Sequence, residues 1–431
     1  MALPRLDEPQ LRQMWTELGV DLDLHDRLLA ASHRSHARTH DWQGGRPDTI
    51  RLFDEAAFDS HGQRVAEILE HRRAGGKSIG TFCIYVPDEI ALAAGVLPIP
   101  LCGGSGWSVD YADKMLPRDI CPLVRSTFGM ALSKTCPYKT LKDFAVGETT
   151  CDAKKKTWDL FGFRVMEVPQ KKQDVDRELW LEEVRGFREQ LEELSGQRVT
   201  KERLRDSIKL VNRRRNLLRE VNELRKLDEP PISGIDALLV SQAALSMDLE
   251  RFNSCGQALL DELKKRAGMG VSAYPDNGGT RVLLAGSPSP MGHAKIHYVT
   301  ESSGMRIVAD ESCTGIRYYR DTVPEDLETV GEMISAVADR YFRIDCACFS
   351  PNSERLENLK ALVSDFRAGA VIHNILQYCH GYDIEANALD KTLREMGIPS
   401  LKIVSDYSEE DEAQLRVRIE AFGEVVGQGT S

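Results

Sequence analysis

The stretch from Lys77 to Gly104, KSIGTFCIYVPDEIALAAGVLPIPLCGG, changes character three times. KSIGTFCIYVP is a short β-branched and aromatic run and reads as a strand. DEIALAAG has helical composition and stops at Gly95, the residue type that most often ends a helix. VLPIPLCGG returns to a strand pattern. Strand, helix and strand at this spacing build a mostly parallel sheet covered by helices. Farther on, TWDLFGFRVMEVPQ reads as another strand, ending near Pro169.

The same alternation restarts late in the chain. TRVLLAGSP, MRIVADESCTG, AVIHNILQYCHGYD and SLKIVSDYS read as strands with loops at their C-terminal ends. The two halves run in parallel: SIGTFCIYVPDE stands where RVLLAGSPSPMG does, LPIPLCGG where RIVADESCTG does, and GETTCDAKKK where LQYCHGYDIE does. A cysteine then follows the same strand in each half. Open α/β sheets bind ligands outside the carboxyl ends of their strands, so two facing halves would bring these cysteines into one cleft.

Between the halves lie long, charged, amphipathic helical patterns: DRELWLEEVRGFREQLEEL, KERLRDSIKLVNRRRNLLREVNEL and SMDLERFNSCGQALLDELKKRAG. The basic run NRRRN reads as a solvated helix face, with docking to an acidic partner as the sharper alternative. GMGVSAYPDNGG reads as a linker. The chain opens with helical patterns, EPQLRQMWTELG and DEAAFDSHGQRVAEILEHRRAG. The predicted fold class is α/β: two Rossmann-like αβ domains with mostly parallel sheets, N-terminal helices over 1–75, a first αβ cluster-binding domain over 76–173, a long helical insertion over 174–268 and a second αβ cluster-binding domain over 269–431.

With 431 residues, 42% of them apolar, the chain can bury more than one core. Its net charge of −11 argues against a general nucleic-acid or membrane-surface binder. The start, MALPRLDEPQLRQMW, lacks a charged-then-apolar signal pattern. The apolar run from Ile90 to Cys102 is broken by Gly95, Pro98 and Pro100 and is too short to span a bilayer. The expected location is the cytoplasm.

Ten cysteines in such a chain call for an account. In a reducing compartment they are core thiols, redox thiols or metal ligands. No CxxC pair occurs, which argues against thioredoxin chemistry and zinc ribbons. Cys121 (DICPL), Cys151 (TTCDA) and Cys379 (QYCHG) sit in polar or turn-forming surroundings and read as ligands. Cys136 (KTCPY) and Cys313 (ESCTG) read the same way. In DCAC, Cys346 is favoured because it closes the strand pattern YFRID, with Cys348 as the alternate. Cys83 and Cys255 read as core thiols, and Cys102 reads equally as ligand or core. Many thiolates with few histidines point to iron–sulfur clusters rather than zinc or copper. The glycines of CGGSG and Lys154, Lys155 and Lys156 of CDAKKK could offset the negative charge of such a cluster. His293 (PMGHAKIHY) and Glu311 (ADESC) are the candidates for proton delivery.

Other motifs fail. GGKS at 75–78 would need glycine at 71 for a P-loop, and His71 stands there; it also precedes a strand rather than following one. GGSG at 103–106 lacks the last glycine of a dinucleotide fingerprint, and no HExxH occurs.

TFCIYVPDEIALAAGVLPIPLCGG, LPRDICPLVRSTFG, GETTCDAKKKTWDL, ADESCTGIRYY and ILQYCHGYDIEANALDKTLREMGIPSLKIVSDYS resemble the 2-hydroxyacyl-CoA dehydratase / benzoyl-CoA reductase family over roughly residues 75–420. The resemblance implies one [4Fe–4S] cluster on three cysteines, which match Cys121, Cys151 and Cys379. The further cysteines Cys136, Cys313 and Cys346 or Cys348 make the chain look like the double-cubane branch. That branch implies an [8Fe–9S] cluster on six thiolates and electrons from a separate dimeric iron–sulfur ATPase. The absence of a P-loop agrees with that division of labour. The expected function is ATP-dependent reduction of a small molecule by a homodimer. A 2-hydroxyacyl-CoA dehydratase subunit with a single cubane is the alternative, and a non-catalytic electron carrier a third reading.

Overall fold

The computed structural model describes residues 5–101, 103–274 and 279–428. It is an α/β protein with two four-stranded sheets, all of whose neighbouring strands are parallel. The first contains β1 (Lys77–Thr81), β2 (Val96–Pro100), β3 (Phe144–Glu148) and β4 (Arg164–Met166), in the order β2-β1-β3-β4. The second contains β5 (Arg281–Gly286), β6 (Arg306–Glu311), β7 (Ala370–Leu376) and β8 (Ser400–Ser405), in the order β6-β5-β7-β8. The winding is the same in both. Each chain segment runs from the first strand to one side, then crosses back to the other, leaving a crevice at the carboxyl ends of β1 and β3 and of β5 and β7.

The local chemistry explains the strands. β7 is buried at every residue, as a parallel strand covered on both faces must be. β2 is an edge strand, so Pro98 and Pro100 remove no ladder bond that a central strand would need. β3 lies against the helix Asp152–Phe161 so closely that a Cβ on Gly147 would come within 2.5 Å of the Trp158 indole. Trp158 Nε1 donates to the Glu148 carbonyl at 2.9 Å and ties this helix to the strand end.

Two segments depart from the sequence reading. TWDLFGFRVMEVPQ is not one strand: its first residues finish the helix Asp152–Phe161, Gly162 turns the chain at a φ of 66°, and only Arg164–Met166 is extended. A glycine in the left-handed region is the usual helix stop, and it divides the run. NRRRN is a solvated face only in part: Arg213 is exposed, but its two neighbours are not. Arg214 and Arg215 are buried, and they pair with Asp88 and Glu89 of the helix Asp88–Ala93. For Arg214 and Arg215 the acidic partners lie in the same chain, and these pairs fasten the helix Lys201–Glu223 to the first sheet unit.

The helix Gly234–Ser246 is buried on every side from Gly234 to Ala244 and occupies the centre of the largest core. Around it pack the helices Arg51–Phe58, Lys201–Glu223 and Leu249–Gly268 and the face of β6. Cys255, on Leu249–Gly268, packs against that core. Among the described residues, no helix is long and apolar enough to cross a membrane.

Candidate metal centre

A cavity of about 1310 Å³ lies against the carboxyl ends of both sheets, and eight of the nine described cysteines line it, all except Cys255. The topology brings them there. Cys83 follows β1, Cys151 follows β3, Cys313 follows β6 and Cys379 follows β7. Cys121, Cys151 and Cys379 each occupy the N-cap of a helix: Pro122–Leu132, Asp152–Phe161 and His380–Glu395. Pro122 suits the first helical position because its missing N–H would have had no partner. The positive end of a helix favours a thiolate. Cys346 and Cys348 sit in the loop after the helix Val330–Phe342. Cys102 lies outside the described residues.

Two groups of thiols form. In the first, Cys379 and Cys121 are hydrogen-bonded through their side chains, with the proton on Cys379. That bond lowers Cys121 below the ordinary thiol range, and the same bond raises Cys379. Cys151 neighbours both and is exposed at the rim. In the second group, Cys348 donates to Cys346, which drops to about 6 chiefly for that reason, while Cys348 rises. Cys313 and Cys83 share the field of Cys346. Burial raises the thiols of Cys83, Cys151 and Cys313, and the Lys154 ammonium opposes burial at all three, as it does at Cys121 and Cys346. One cation thus serves five cysteines from both halves. Lys155 and Lys156 are exposed.

Cys136 lies elsewhere on the cavity wall. It caps the short turn Pro137–Lys139, and its electrostatic neighbours are Lys142, Lys139 and Tyr138 rather than the other thiols. Cys83, read from sequence as a core thiol because of its apolar neighbours, stands with the second group. Its position directly after β1 is the signal that would have found it.

The two candidates for proton delivery, His293 and Glu311, stand in different surroundings. Burial holds His293 at about 3, so its imidazole is neutral at pH 7 and stands edge-on to Tyr407 with ring centroids 4.5 Å apart. Glu311 is outside the cavity lining and is locked between two guanidiniums, Arg317 Nε at 2.6 Å and Arg355 Nη2 at 3.0 Å. The group sequence reasoning missed is Glu148, fully buried at the end of β3 just behind the cavity lining, where only the backbone N–H groups of Cys83 and of Glu148 itself approach its carboxyl. Burial lifts it to about 7, against the pull of Lys154.

Among the described residues, no three His, Cys, Asp or Glu side chains meet around a single point as one metal ion requires. Iron–sulfur clusters place each thiolate on a different iron. A wall of thiols divided into two groups, offset by helix termini and a shared ammonium, fits that donor chemistry.

The sequence comparisons agree with this architecture. The family profile described as 2-hydroxyglutaryl-CoA dehydratase, D-component, matches residues 83–426. The Escherichia coli K12 protein named "Putative dehydratase subunit YjiM" is 34% identical over 88% of this chain and 99% of its own length. The (R)-phenyllactyl-CoA dehydratase beta subunit of Clostridium sporogenes is 24% identical over 83% of this chain and 94% of its own. A benzoyl-CoA reductase subunit of Thauera aromatica is 31% identical over 62% of this chain and 70% of its own.

Proposed function

The chain belongs to the 2-hydroxyglutaryl-CoA dehydratase D-component family, and we propose that it works as a cytoplasmic, homodimeric iron–sulfur reductase component. It takes low-potential electrons from a separate ATP-hydrolysing activator, an iron–sulfur dimer, and passes them to a small-molecule substrate. The observation that carries this reading is the convergence of eight cysteines from both sheet units on one cavity. An iron–sulfur cluster bound there supplies one-electron chemistry at low potential. In the proposal, the sheet-bearing units 76–173 and 269–431 flank the cluster, and 174–268 braces them.

Cys121, Cys151 and Cys379 form one ligand set. Cys83, Cys313 and Cys346 form the other, with Cys348 as the hydrogen-bonded neighbour of Cys346. Six thiolates in two sets suit an [8Fe–9S] double cubane. Lys154 and the three helix N-termini offset its negative charge. The neutral His293 on the wall orients substrate by hydrogen bonding rather than by acid catalysis.

The dehydratase names of the relatives favour a second reading, a 2-hydroxyacyl-CoA dehydratase subunit holding one [4Fe–4S] cluster on Cys121, Cys151 and Cys379. Anaerobic turnover with the activator separates the two. Reduction of small molecules that requires both ATP and activator is expected. Dehydration of a 2-hydroxyacyl-CoA without such reduction would favour the second reading.

A further inference from the structure

Tyr382 is buried three residues beyond Cys379, on the first turn of the helix His380–Glu395. Its hydroxyl lies 4.0 Å from Cys313 Sγ and 3.8 Å from Cys346 Sγ. Its backbone N–H approaches Cys379. One residue therefore touches cysteines from three separate segments and from both thiol groups.

The ring is held from several directions. Arg317 Nη1 donates to the phenol oxygen and also lies 3.9 Å from Cys313 Sγ. The guanidiniums of Arg317 and Arg355 stand over the ring at 5.1 and 4.8 Å from its centroid. Both are clamped by Glu311, Arg317 is also paired with Asp345 at 3.4 Å, and Arg355 also pairs with Glu385. A cation donating to the phenol oxygen strengthens the O–H as a donor, because it draws electron density from that oxygen. The O–H then has two sulfurs in front of it.

We propose that Tyr382, braced by Arg317, is a positioning residue that holds Cys313 and Cys346 side by side and donates its O–H to their sulfurs, raising the reduction potential of the cluster they ligate. The inference rests on the ligand assignment of the proposed function. A hydrogen bond to a ligand sulfur stabilises the more negative, reduced state and so favours reduction. It also gives the clamp on Glu311 a purpose: the carboxylate holds the two arginines that fix the tyrosine.

The test is Tyr382→Phe, which keeps the ring, its packing and the stacked guanidiniums. The variant purified anaerobically should keep the iron and sulfide content of the wild type. Its reduction equilibrium should move about tenfold toward the oxidised state, about 59 mV more negative for one electron. Pulsed EPR of the reduced protein in D2O should lose its strongest exchangeable deuteron coupling, which a merely structural role would leave in place. An unchanged potential with an unchanged coupling would overturn the inference while leaving the cluster assignment intact. In metal-free protein the thiol cross-linker dibromobimane should join Cys313 to Cys346, as mapped by peptide mass, and do so several-fold less in Tyr382→Phe. If the wild type holds no iron but this difference appears, the functional reading falls and the positioning role stands. If the cross-link forms equally in both proteins, the positioning role falls.

Discussion

Replacing Arg215 by Met removes the cation of a pair sealed from solvent on both sides, since the side chains of Arg215 and Glu89 are each 0% exposed. Their Nη1–Oε1 contact is 2.5 Å. Tyr341 donates to the other Glu89 oxygen at 2.8 Å and accepts from Arg215 at 3.0 Å. Burial alone would raise the Glu89 carboxyl, yet Arg215 and Arg340 hold it below its ordinary range, so it is charged. Arg215→Met leaves that charge without its nearest counterion, at a cost of about 3–5 kcal/mol. By the scaling of roughly 2–4 °C per kcal/mol for domains of 150–250 residues, the melting transition should fall by about 6–20 °C. The assay is a thermal melt at constant pH and ionic strength, with Glu89→Leu and the double variant as a cycle. The double variant should be less damaged than either single one, because no lone charge remains. A drop within a degree or two for Arg215→Met, or a double variant worse than both singles, would refute the claim that this pair joins the helical segment to the first sheet.

Three further outcomes follow from the site. Glu148 is lifted to about 7 from an ordinary 4.5, so the folded protein keeps a proton that the unfolded chain releases, and stability falls as pH rises from 4.5 to 7. Glu148→Gln should therefore raise the unfolding free energy by about 3 kcal/mol at about pH 8, at 1.36 kcal/mol per pKa unit, with the gain vanishing below about pH 4.5; equal unfolding midpoints at both pH values would contradict this. Cys83→Ser should lower iron content, whereas Cys136→Ser, at a distance from the other thiols, should keep it; metal analysis of the two proteins decides. Cys255→Ala, which changes only packing against the central core, should leave iron unchanged in the purified protein.

Much of this arrangement was legible in the residues. The runs of the second half gave β5 to β8 because each carries a short cluster of β-branched or leucine residues followed by a polar loop, and the sheet rule then located Cys313 and Cys379. β3 escaped notice: Phe144–Glu148 is five residues long, contains a glycine and lies within a stretch that draws the eye for its cysteines. The helix Gly234–Ser246 escaped for another reason. Apolar residues surround its whole circumference, so it has no polar face to mark a helical period. Cys83 does pack against the apolar core as its neighbours suggest, but its place directly after β1 also sets it beside Cys313 and Cys346. Tyr382 could not be found by spacing, because Cys313 and Cys346 come to it from sequence positions far from residue 382. The same holds for NRRRN, whose acidic partners precede it by more than a hundred residues.

Anaerobic determination of iron and acid-labile sulfide per chain, on protein purified without added metal, tests the central claim most directly. Two sets of three thiolates predict about eight irons, with sulfide in near-equal amount, by the count of one cubane for each thiolate set. Reproducible values of about four iron, or zinc in place of iron, would contradict the double-cubane account.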